Sequence, residues 1–334
     1  MKLEEIGLVG QLKLKSAKVM VVGAGGLGCP VLLYLTAAGV GKIGIVDFDV
    51  VEISNLQRQV LYTVNDIGKH KAEQAVQHLK LRNPYVDFDY FSEKLSVNNA
   101  LQLFKNYDII IDGTDNFETR YLINDACVLT CKTLVYGSIQ KFAGQVTVFN
   151  FPFDEMKRSA TYRCLFPEPP AHNTVFNCED VGVLGILPGL IGTIQATEAI
   201  KIITGIGKTL AGELLMIDSS TMNFDSIQFA RNESSWKNFP SSPDAFQKFD
   251  YSFFCNGSAL NSEIRRISAK ELRENIQNKR SIQIIDVRNS DELPLLNDER
   301  VVRIPINEIR NRISEISKDL PVIVACASGE RSAW

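Results

Sequence analysis

The feature that most constrains this chain is a glycine run set between a strand-like and a helix-like segment. Lys18–Val22 reads KVMVV, the run Gly23-Ala24-Gly25-Gly26-Leu27-Gly28 follows, and an apolar helical stretch extends from about Leu27 to Ala38. Glycines permit a tight turn and close backbone approach to a ligand. The first turn of the helix then offers unpaired N–H groups and a partial positive charge to a phosphate. Asp47 closes the next strand, KIGIVD, where an acid can accept hydrogen bonds from ribose hydroxyls. Such a run predicts a nucleotide-binding fold. Taken alone, it suits an NAD(P)-dependent oxidoreductase as well as an enzyme that uses ATP.

The alternation continues through residue 230. Strand patterns recur at Asp108–Asp112 and Thr133–Tyr136, with helical stretches around Lys69–Leu81, Ala100–Asn106 and Gly189–Ile203. Gln145–Asn150 alternates with period two, as an antiparallel strand does. Composition shifts near Asn232 to the polar, Ser/Pro-bearing NESSWKNFPSSPDAFQKF, after which helix (Ala269–Asn278) and strands (Ile282–Asp286, Pro321–Ala325) resume. The expected fold is α/β: a Rossmann-like, doubly wound, largely parallel sheet with antiparallel additions, and a smaller α/β domain. The expected domains are 1–232 and 263–334, joined by a linker at 233–262.

Several function classes drop out. Lys+Arg 36 against Asp+Glu 39 leaves a net charge of −3, which gives no electrostatic reason for nucleic acid or an anionic membrane as partner. The most apolar stretch, Val181–Ile203, is interrupted by Pro188, Gln195, Glu198 and Lys201, so it predicts no membrane span. The first residues, MKLEEIGLVGQLKLKSAK, lack the apolar block of a secretory signal. Seven scattered cysteines then read as reduced thiols in a cytoplasmic protein.

The block after Asp47 separates the nucleotide readings. Asp47-Phe-Asp-Val-Val-Glu-Ile-Ser-Asn55-Leu-Gln-Arg58-Gln59 is dense in polar groups where a nicotinamide site needs mainly room. Arg58 and Asn55 suit the oxygens of a triphosphate, and Gly68-Lys69-His70-Lys71 puts further cations at a helix start. Asp112-Gly-Thr-Asp115-Asn116 ends an apolar strand, where carboxylates face the ligand crevice and can hold Mg²⁺.

GAGGLG, DFDVVEISNLQRQ, GKHK and DGTDN together resemble the ubiquitin-activating-like adenylyltransferases of the MoeB/ThiF type, from about Ile6 to Arg231. The resemblance implies Gly23, Gly25, Gly26, Gly28 and Asp47 around the ATP nucleoside and Asn55, Arg58, Gln59 and Lys71 around its phosphates. It also implies Asp115, beside Asn116, at Mg²⁺ or the reacting phosphate. The implied catalytic set is Asp115, Arg58, Lys71 and a reactive thiol at Cys178. The implied partner is a small ubiquitin-like sulfur carrier ending in Gly-Gly, and the implied assembly is a homodimer. A scaffold of the same fold without sulfurtransferase activity is the other alternative.

Members of that family carry a structural zinc on two CxxC pairs. Here Thr161 stands where the first cysteine belongs, leaving Cys164, and the second pair is missing near Arg231, so no zinc is expected. Cys127 and Cys131 read as one face of a helix, and Cys255 carries no expected chemistry. Further on, Ile284-Ile-Asp286-Val-Arg288 and Val322-Ile-Val-Ala-Cys326-Ala-Ser-Gly-Glu-Arg331-Ser resemble a rhodanese-like domain, with Cys326 as the sulfur carrier. A strand-end cysteine heading such a loop is surrounded by N–H groups that favour thiolate and persulfide. Against those families both ends of the chain read as clipped, which makes the rhodanese-like domain C-terminally incomplete.

Overall fold

The structure, a computed structural model, describes residues 3–170, 182–256, 267–268, 271–273, 281–289, 292–293, 298–309, 312–317, 320–326 and 332. Two compact units divide the chain, Met1–Cys255 and Asn256–Trp334.

The first unit is built on one eight-stranded sheet in the order β3-β2-β1-β4-β5-β6-β7-β8. Strands β1 (Lys18–Val22), β2 (Lys42–Val46), β3 (Asp87–Phe91), β4 (Ile109–Asp112) and β5 (Thr133–Gln140) run parallel. Strands β6 (Ala143–Phe149), β7 (Glu213–Asp218) and β8 (Asn223–Gln228) extend it antiparallel. The helices are α1 (Gly7–Ser16), α2 (Gly28–Ala38), α3 (Lys71–Arg82), α4 (Ala100–Lys105), α5 (Phe117–Leu129), the short α6 (Tyr162–Leu165), α7 (Leu187–Thr204), α8 (Pro243–Gln247) and α9 (Tyr251–Asn256).

Both faces of the central strands are covered, which is why they read as unbroken apolar runs. Val19, Val21, Ile43, Ile45, Ile109 and Ile111 face one core with Leu32, Leu35, Ala75 and Ala199. Met20, Val22 and Ile110 face the other, with Phe104, Tyr121, Ile123 and Ala126. The expected doubly wound sheet with antiparallel additions is therefore borne out, β6 included. Strand β3 and the β7–β8 hairpin escaped the sequence reading for a physical reason: DFDYF alternates acids with aromatics, and every β8 residue is exposed.

Two expectations are revised. Cys127 and Cys131 do not share a helix face, because α5 ends at Leu129 and Cys131 lies beyond it with φ 54°. Cys127 is buried in the core, whereas Cys131 is exposed. The stretch expected as a linker packs onto the first unit as far as Cys255: Phe246 and Tyr251 are buried against the α5 side of the core, with Phe249 and Phe254 beside them. Its aromatics were masked in the sequence by neighbouring serines, prolines and charges.

The described part of the second unit holds a three-stranded parallel sheet, β9 (Gln283–Asp286) flanked by β10 (Val301–Arg303) and β11 (Val322–Ala325). Ile285, Val287 and Ile304 form its core, with Cys326 packed against them. The expected helix at 269–278 lies largely outside the described residues. No helix among the described residues is long and apolar enough to cross a membrane.

Candidate active site

The strand order reverses between β1 and β4, and the crevice at their carboxyl ends is where open α/β sheets bind ligands. A cleft opens there, lined by Gly23 and Gly25 after β1, Asp47 and Asp49 after β2, and Gly113, Thr114, Asp115 and Asn116 after β4. Gly23 has φ +91°, and a Cβ on it would come within 2.8 Å of the Gly113 carbonyl. At Gly28 a Cβ would overlap the Gly23 carbonyl at 1.9 Å, so this glycine serves the helix–strand approach behind the cleft. Gly26 packs under Pro188 and the Arg58 side chain rather than lining the cleft.

Asp47 is buried, with each carboxylate oxygen holding one N–H: Ala24 N donates to Oδ2 at 2.7 Å and Asp49 N to Oδ1 at 2.9 Å. Burial raises its pKa above the ordinary aspartate value, against the pull of the Lys71 charge and these two amides. One lone pair on each oxygen is left for a ligand hydroxyl. Lys71, at the start of α3, is buried along its stem and pairs with Asp49 Oδ2 at 2.8 Å, while its own N–H donates to the Asp49 carbonyl at 2.9 Å. Asn55 is buried in a one-turn helix and accepts from Glu52 N at 3.2 Å. Arg58 lines the cleft with one N–H on the Ser54 carbonyl at 3.1 Å. Gln59 is buried on the cleft wall, and its Oε1 has no hydrogen-bond partner among the described residues. An orphaned buried amide oxygen costs free energy unless a ligand completes it. The cleft residues therefore fit a nucleotide.

The two strand-end acids part company. Asp112 is buried beneath the turn, its Oδ1 held by Thr114 N at 2.9 Å and Thr114 Oγ1 at 2.6 Å, and burial pushes its pKa up. Asp115 stands exposed in the cleft. Asn116 lines the cleft and caps α5, accepting from Thr119 N at 2.9 Å. Lys69 points away, 3.9 Å from Asp66, and is not part of the lining. Glu93, Lys94 and Leu95, just past β3, also line the cleft. The sequence reading missed them because it missed that strand.

A second groove meets the first at Asp115. Its walls are Phe117, Arg120, Tyr136, Tyr162 and Phe166, with Ser138, Gln140 and Gln145 from the β5–β6 hairpin. Arg120 is buried against Phe117 and Tyr136, its guanidinium 5.6 and 5.8 Å from their ring centres, and donates to the Thr114 carbonyl at 3.2 Å. Cys178 lies outside the described residues. Cys326 follows β11, and Ser332 N donates to its Sγ at 3.4 Å.

The pattern of the ThiF family matches residues 1–237. The chain belongs to the ThiF family. Among ThiF-family relatives, it is 42% identical to the probable adenylyltransferase/sulfurtransferase MoeZ of Mycobacterium tuberculosis over 335 residues, covering 98% of this chain and 83% of that protein. It is 41% identical to the adenylyltransferase and sulfurtransferase MOCS3 of Culex quinquefasciatus over 347 residues, covering 99% and 78%. The sulfur carrier protein adenylyltransferase of Thermus thermophilus is 49% identical over 232 residues, covering 70% of this chain and 86% of that one. The crystal structure of E. coli MccB with ATP shares the fold, with a TM-score of 0.59 at 24% identity over 67% of each chain.

Proposed function

We propose that this ThiF-family enzyme adenylylates the C-terminal glycine of a small ubiquitin-like sulfur carrier ending in Gly-Gly and then converts that carboxylate to a thiocarboxylate. The observation that carries the proposal is the meeting of the nucleotide cleft and the aromatic groove at one exposed carboxylate, Asp115. A groove walled by rings and buried Arg120 suits an extended tail that has no side chains to accommodate.

The substrate's carboxylate is already a nucleophile, so adenylylation needs no general base. It needs the triphosphate charge neutralised and the carboxylate aligned with the α-phosphorus. In this account Asp47 binds the ribose, and Arg58, Lys71, Asn55 and Gln59 hold the phosphates. Asp115 would hold the Mg²⁺ that accompanies ATP, and that ion would neutralise phosphate charge. A carboxylate oxygen attacks the α-phosphorus, the bond to the β-phosphate oxygen breaks, and pyrophosphate leaves an acyl-adenylate.

Sulfur carried as a persulfide on Cys326 then attacks the acyl carbon and AMP departs. A further thiol takes up the remaining link to Cys326 as a disulfide and releases the thiocarboxylate. Cys178 is the proposed reactive thiol that links covalently to the activated carrier or to a transferred sulfur. The same reading makes the protein a cytoplasmic homodimer in a molybdopterin- or thiamin-type pathway. The exposed Leu8, Val9 and Leu12 of α1 support a face for a second copy. Mixing the protein with candidate Gly-Gly carriers and scoring carrier-dependent release of pyrophosphate tests the proposal. Tight NAD binding without ATP binding would overturn it in favour of an oxidoreductase.

A further inference from the structure

The turn α6 lies where the family resemblance implies a zinc, between Thr161–Cys164 and the stretch after Arg231. Its donor set does not fit that metal. Among the described residues Cys164 is the one thiol there, and three N–H groups converge on its sulfur: Trp236 Nε1 at 3.1 Å, Asn232 N at 3.4 Å and Thr161 N at 3.4 Å. A cation would face the positive ends of those dipoles, and the described residues do not supply the further ligands that tetrahedral zinc requires. Among the described residues, no three His, Cys, Asp or Glu side chains cluster closely enough to hold a metal.

What occupies the place is a hydrogen-bond network reaching in two directions. Toward the 231–251 stretch, Arg163 NH1 donates to the Lys237 carbonyl at 2.9 Å and Ser235 Oγ to the Arg163 carbonyl at 3.1 Å. The Arg231 guanidinium stacks on Trp236 at 4.6 Å. Toward α5, the fully buried Arg163 makes a two-pronged pair with Asp125, Nε to Oδ1 at 2.8 Å and NH2 to Oδ2 at 2.7 Å. Tyr251 OH adds 2.7 Å to the same carboxylate, and Tyr162 N donates to Asn124 Oδ1 at 2.8 Å. A buried ion pair persists only when such partners complete both charges. Burial works against the Cys164 thiolate, but the N–H donors outweigh it and hold the thiol below the ordinary cysteine value.

We propose that α6 and the 231–251 stretch form a metal-free clasp on α5, with Arg163 and Cys164 as its two hubs. The helix it grips begins at Phe117, two residues after Asp115, and carries Arg120, so Arg163, Cys164 and Tyr251 are positioning residues for the cleft and groove. The clasp stands on these contacts alone, whatever the reaction proves to be.

The test uses the full chain purified from zinc-supplemented growth, with metal content, melting with and without EDTA, and hydrogen exchange of the α5 amides. The clasp predicts well under one zinc per chain and a melting temperature that EDTA shifts by less than about 1 °C. It predicts roughly tenfold faster exchange across 117–129 in Cys164→Ala and in the milder Tyr251→Phe, with β1 amides unchanged. Zinc near one per chain, or melting collapsed by EDTA, overturns it. So does α5 exchange equal to wild type in Tyr251→Phe, or β1 exchange accelerated to the same extent as α5.

Discussion

At the scale of single residues, the cleft is a set of groups already held by the protein before any ligand arrives. Lys71 is buried and tied to Asp49, so its charge is fixed beside Asp47. Lys71→Ala should raise the KM for ATP by about 10- to 100-fold, the worth of a hydrogen bond to a charged group, measured by steady-state kinetics. Asp66 gives a stability prediction with a definite sign. Burial opposes its charge, but hydrogen bonds from Thr63 and the His78 ring outweigh this and hold its pKa below the ordinary aspartate value. A depressed folded pKa contributes stability above the unfolded value of about 3.9, lost as pH falls through the folded value. Denaturant titrations of Asp66→Asn should therefore show a weaker loss of stability below about pH 4 than wild type.

At the scale of elements, what was legible in the sequence was whatever burial or backbone geometry imposes strictly. The GAGGLG turn, the apolar central strands and the DGTDN turn all meet such demands, and the structure brings Gly23, Gly25, Asp47, Asp115 and Asn116 from them to one crevice. Gly28→Ala tests the strictest of them. Its Cβ would overlap a backbone carbonyl that cannot move without shifting β1, and urea unfolding should show a loss of at least about 3 kcal/mol. Illegible elements lacked a pattern: β8 buries nothing, and β3 alternates acid and aromatic. Missing β3 hid Glu93, Lys94 and Leu95 from the sequence reading. The clasp was hidden differently, because Arg163 and Asp125 lie 38 residues apart in the chain and no local pattern pairs them before the fold brings them together. Removing one partner of that buried pair, as in Asp125→Ala, should cost roughly 3–5 kcal/mol by the same urea assay.

At the scale of the whole molecule, two compact units divide the candidate groups: a crevice with polar groups that fit a nucleotide, and a small parallel sheet with Cys326 at the end of a strand. The two proposed chemistries separate by mutation. Cys326→Ala should leave carrier-dependent pyrophosphate exchange within about twofold of wild type while thiocarboxylate formation, followed by mass spectrometry of the carrier, disappears. The adenylylation step is the central claim, and Asp115, shared by cleft and groove, is its hinge. The most direct measurement is pyrophosphate exchange into ATP by wild type and Asp115→Ala in the presence of a Gly-Gly-ending carrier. The account predicts exchange that requires the carrier's last glycine and is abolished by Asp115→Ala. Undiminished exchange in that variant, or exchange indifferent to the carrier's terminus, would contradict it.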